Sequence, residues 1–134
     1  MRSRWVGWAG LSAAVPLLLL AGCAEGRRPA VEQTVTAFTS ALATGNTRAG
    51  CALLAPATRD ALEYQRSQTC AVALEQLSLP SGGLVDTADW GGEAQVHTTA
   101  DTLFLTQTSQ GWRIAAAGCQ PRGEAPYACK VQGP

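Results

Sequence analysis

Residues 80–117 read PSGGLVDTADWGGEAQVHTTADTLFLTQTSQGWRIAAA, and their punctuation decides the fold class. Pro80-Ser81-Gly82-Gly83 breaks any regular element, and four short extended runs follow at 84–90, 93–99, 102–108 and 112–117. Gly91-Gly92 suits the two-residue loop of a hairpin, and Ser109-Gln110-Gly111 is a second tight connection. Trp112, Ile114 and Ala116 alternate with Arg113 and Ala115, as in a strand buried on one face. By the same period, His97 falls on the face opposite Val96. The second half of the chain is therefore read as an antiparallel meander of about four strands.

Upstream of the break the period changes. Val31, Val35, Phe38 and Leu42 recur as one helical face, with Pro29 near its start and Gly45 at its end. Asn46 or Thr47 can cap a short helix reaching Leu54, and Pro56 opens another over 57–64. Ser67 or Thr69 precedes a last helical piece in which Cys70, Leu74 and Leu77 share a face. Helices followed by a meander predict an α+β domain over 31–134, with the N-terminal helices packed on a curved antiparallel sheet.

Residues 1–22 carry an export signal. Arg2 and Arg4 precede an apolar run over 6–20, and small residues follow. The exit Leu20-Ala21-Gly22-Cys23 resembles the lipobox of bacterial lipoproteins. That resemblance implies lipidation of the Cys23 thiol and cleavage between Gly22 and Cys23. It places the protein on the outer face of the cytoplasmic membrane, with 23–30 as the lipidated residue and a solvated tether. An uncleaved membrane anchor and a plain secretory signal are the alternatives for the same stretch.

Four cysteines remain: Cys51, Cys70, Cys119 and Cys129. An even number in an exported chain suggests two disulfides, with three possible pairings. Spacing favours the local closures Cys51–Cys70 and Cys119–Cys129. No pair has the close spacing usual for zinc and there is no CxxC motif, so neither a metal nor a redox site is expected.

The chain has 134 residues, a formal net charge of 0, 46% hydrophobic residues and 15% charged ones. It is too apolar for a disordered chain and long enough for one domain. The balanced charge lacks the basic excess that nucleic-acid binding needs. Gly82-Gly83 and Gly91-Gly92 match no phosphate loop, no nucleophile motif occurs, and no cofactor is expected.

The element order, together with residues 51–59, Cys70, residues 111–119 and Pro126-Tyr127-Ala128-Cys129, resembles small secreted actinobacterial lipoproteins with a nuclear-transport-factor-like (SnoaL-like, cystatin-like cone) domain. The resemblance implies a cone between helix and sheet that serves as a binding cavity or an enzyme pocket. Phe38, Trp90, Trp112 and Tyr64 are its candidate lining residues. The function expected is that of a lipid-anchored binding or accessory module for a protein or apolar small molecule. An acid–base enzyme using His97 or Asp101, or a passive envelope lipoprotein, would carry the same features. For Asp101, at a strand start, a turn or capping role competes with a catalytic one.

Overall fold

The computed structural model describes residues 26–134. The signal and lipobox readings, Cys23 included, lie outside them. Helix α1 (Arg27–Ala43) buries Val31, Val35, Phe38 and Ala41, and Leu42 packs half-buried against the same core. It begins inside the stretch expected to be tether. Pro29 does not oppose this, because amides in a first helical turn have no helical acceptor to lose. The helix ends with the Asn46 amide on the Ala41 carbonyl (2.8 Å) and the Gly45 amide on that of Leu42 (3.1 Å). Gly45 supplies the positive φ (+69°) that this double closure requires.

In helix α2 (Thr47–Ala52) the Asn46 side chain accepts the Ala49 amide at 3.2 Å. The helix stops short of Leu54, because the next residues are needed elsewhere. The Leu53 carbonyl accepts the Ile114 amide, and the Ala55 amide donates to the Ile114 carbonyl, both at 2.8 Å. Helix α3 (Pro56–Arg66) opens on its expected proline. Helix α4 (Cys70–Leu77) has no side-chain cap from Thr69; Glu63 Oε1 of α3 accepts the Cys70 amide instead, at 3.0 Å. The Cys51–Cys70 disulfide ties α2 to α4.

The strands are β1 (Leu84–Trp90), β2 (Glu93–Thr98), β3 (Thr102–Thr108), β4 (Gly111–Arg122), β5 (Ala125–Ala128) and β6 (Val131–Gln132). They form one curved, open antiparallel sheet in the order β1-β2-β3-β4-β5, with β6 also on β4. The sheet thus has six strands where about four were expected. The difference lies at the C-terminal end: β4 runs past Ala117, turns at Gly123, and the chain returns along its free edge. The Cys119–Cys129 disulfide staples this return.

β4 bends at Gly118, whose φ is +65° and where a Cβ would come within 3.0 Å of the Leu79 side chain. The Gly118 amide donates to Asp101 Oδ2 at 2.8 Å, and the Thr98 hydroxyl donates to Asp101 Oδ1 at 2.8 Å. One buried carboxylate therefore fixes both the β2–β3 turn and the bend in β4.

The two faces of the sheet separate by alternation. Ala94, Val96, Leu103, Leu105, Trp112 and Ile114 point at the helices and are buried with Val31, Val35 and Phe38. Glu93, Gln95, His97, Phe104 and Thr106 occupy the alternate positions on the outer face. The interior between α1 and the sheet is filled by large side chains.

Candidate functional site

Pairing of Leu105 with Ile114 and of Phe104 with Ala116 leaves Ala115 as an extra residue in β4, a β-bulge. Its carbonyl accepts the Thr58 hydroxyl at 3.0 Å and the Gly133 amide at 3.1 Å. These two bonds bring the first turn of α3 and the end of the return strand together against β4. Between them, on the outer side of the sheet, lies a groove of about 580 Å³. Ala115 and Ala116 contribute to its lining with side chains too small to fill it, while Ala57, Phe104, Tyr127 and Cys129 also border it. The disulfide at Cys129 holds this border to β4.

Two aromatic rings dominate the lining. Phe104 and Tyr127 meet edge to face, with centroids 5.2 Å apart and planes at 76°. The Tyr127 hydroxyl accepts from Gln95 Nε2 at 3.2 Å, and the same amide nitrogen lies 3.4 Å from His97 Nε2. For Gln95 to donate there, the imidazole must carry its proton on Nδ1, which then donates to Thr102 Oγ1 at 3.0 Å. A polar row thus runs along the outer face and ends on the Tyr127 ring. Glu93, also in the lining, accepts the Thr106 hydroxyl at 2.8 Å.

The four residues expected to line a cavity are not brought together. Phe38 (1% exposed) and Trp112 (5%) are core residues, while Trp90 (52%) and Tyr64 (88%) are at the surface. None of them lines the groove. The physical reason is the filled helix–sheet interior, which leaves the open space on the other side of the sheet. His97 is on the outer face as its alternation predicts, but half-buried and hydrogen-bonded. Asp101 is buried, with its oxygens accepting from Thr98 and Gly118 in a turn-fixing role.

Glu93 and Phe104 have no site role in the sequence reading, and Tyr127 enters there only as part of the Pro126–Cys129 resemblance. A signal for the groove existed in Ala115-Ala116-Ala117-Gly118, a run of small residues inside a strand. Tyr127, inside the loop closed by Cys119 and Cys129, was a second one.

Among the described residues no group of three or more His, Cys, Asp or Glu could hold a metal ion. No helix among them is long and apolar enough to cross a membrane. No family model matches the chain, and comparison with the curated proteins and with the solved structures likewise finds no match.

Proposed function

We propose that the protein is a binding module, held by a lipid at Cys23 on the outer face of the cytoplasmic membrane, that takes a small apolar ligand in the groove over Ala115 and Ala116. The observation that carries this is the groove itself, with its small-residue lining, two aromatic rings and disulfide-held border. Concave, mostly apolar sites with a few polar groups are the usual form of small-molecule sites. The two disulfides support an oxidising compartment, in keeping with export. Likeness to the nuclear-transport-factor-like class belongs to the same proposal, with the ligand space moved to the outer sheet face.

Two measurements test it. Fatty-acid labelling should mark the wild type and not Cys23→Ala; equal labelling of both removes the anchor. N-phenyl-1-naphthylamine, a neutral apolar fluorophore, should bind saturably and lose most of its signal in Ala57→Trp. Ala57 is exposed in the first turn of α3, so the indole fills the groove without entering the core. An unchanged signal in a folded Ala57→Trp variant places the ligand elsewhere.

A further inference from the structure

We infer that the groove selects an organic ammonium: a ligand with an apolar body whose positive end lies between Glu93 and the Phe104–Tyr127 pair. This rests on the binding proposal above and adds the charge and the polarity of the ligand. Glu93 is the one ionisable side chain among the lining residues apart from the Tyr127 phenol. Its Oε1 accepts the Thr106 hydroxyl, and its carboxylate stands at the exposed rim.

Of the neighbouring polar groups, the two lining threonines have the same sense, while the Tyr127 hydroxyl, which accepts from Gln95, and the Gln132 amide keep protons to donate. The hydroxyl proton of Thr106 is engaged by Glu93 and that of Thr58 by the Ala115 carbonyl. Neither lining threonine therefore has a proton left to offer an anion. Arg113, the β4 partner of Thr106, turns its guanidinium to the Trp112 carbonyl at 2.9 Å and is not part of the lining.

The rings add attraction of the same sign. Two aromatic rings at 76° present π-faces in different directions, and such faces carry partial negative charge. A cation over a ring and beside a carboxylate is held by both, and the ring attraction grows where water is displaced. An anionic ligand of the same shape would meet repulsion from both.

The test uses three probes of one shape: 4-phenylbutylamine, 4-phenylbutanol and 4-phenylbutyrate. Each is titrated calorimetrically into the full chain held in phosphatidylcholine nanodiscs, with empty nanodiscs as the blank. At low salt the amine should bind about 2–5-fold tighter than the alcohol, and the acid weaker than both. Glu93→Gln should bring amine and acid to within about twofold of the alcohol measured on the same variant. Added salt should shrink the amine's advantage in the wild type.

Equal affinities for amine and alcohol in the wild type, or an amine preference undiminished in Glu93→Gln, would overturn the ammonium inference while leaving the groove in place. If none of the three probes binds, the groove reading falls and the inference falls with it.

Discussion

The two faces of this sheet use the same alternation of residues to opposite ends. On the covered face, Val96, Leu103, Leu105 and Ile114 are fully buried against a helix that presents Val31, Val35 and Phe38. On the outer face, Phe104 and Thr106 alternate with those residues. The bulge at Ala115 turns Ala116 to the same side instead of the covered face that simple alternation gives it, and the space above them stays open. Helix packing closes the first face with large side chains. A one-residue bulge and a run of alanines open the second. Stability should therefore depend mostly on the covered face, and the proposed ligand binding on the outer one.

The sharpest way to break that comparison is a pair of phenylalanines. Phe38→Ala should lower the unfolding free energy by about 3–5 kcal/mol in urea titration, the range for emptying an aromatic core site. Phe104→Ala, on a half-buried ring, should cost less than half as much. Equal losses would mean that the outer face is as much a core as the covered one.

Next in size is the carboxylate that joins the two faces at their common turn. Asp101→Ala should cost about 1.5–3 kcal/mol, the contribution of hydrogen bonds to a charged group. It should also speed amide exchange at Gly118, which loses its acceptor. A stable variant with slow exchange at Gly118 would show that the bend holds without Asp101.

A gain is expected beneath the helix. Thr87 is buried on the covered side of β1, and its hydroxyl has no hydrogen-bond partner. Thr87→Val keeps the shape and removes an unsatisfied polar group, so it should stabilise by about 1 kcal/mol, read as a rise in Tm. A loss would reveal an acceptor that the hydroxyl reaches in solution.

The smallest effect concerns His97. With its Nδ1 bonded to Thr102, His97→Ala should cost about 0.5–1 kcal/mol, more than a free surface side chain. A loss as large as that of Phe38→Ala would place the imidazole in the core and reverse the two faces.

Much of the covered face was legible in the sequence. The stripe of Val31, Val35 and Phe38 and the alternation around Trp112 and Ile114 come from the periods of helix and strand, which local sequence records directly. β5 and β6 were not legible. They are four and two residues long, and Pro126 within β5 removes a ladder donor, which argues against a strand. What reveals them is the disulfide: Cys119 and Cys129 stand five residues either side of Glu124, as cross-strand partners around a turn would. The groove was hidden for a different reason. It depends on the register slip at Ala115 and on contacts from Thr58 and Gly133, both distant in sequence from Phe104.

Both disulfides close within one half of the chain, and neither crosses the break at Pro80–Gly83. This predicts an order of assembly. Among the four cysteines of the described residues, in a chain that emerges N-terminus first, Cys70 is the first partner that Cys51 meets, well before Cys119 appears. Cys119 and Cys129 then emerge together after the earlier pair has been consumed. Of the three pairings open to four cysteines, the native one is the only one built from consecutive thiols. Oxidation thus proceeds as two separate local steps, with no cross-half bond for an isomerase to undo before helices and sheet dock.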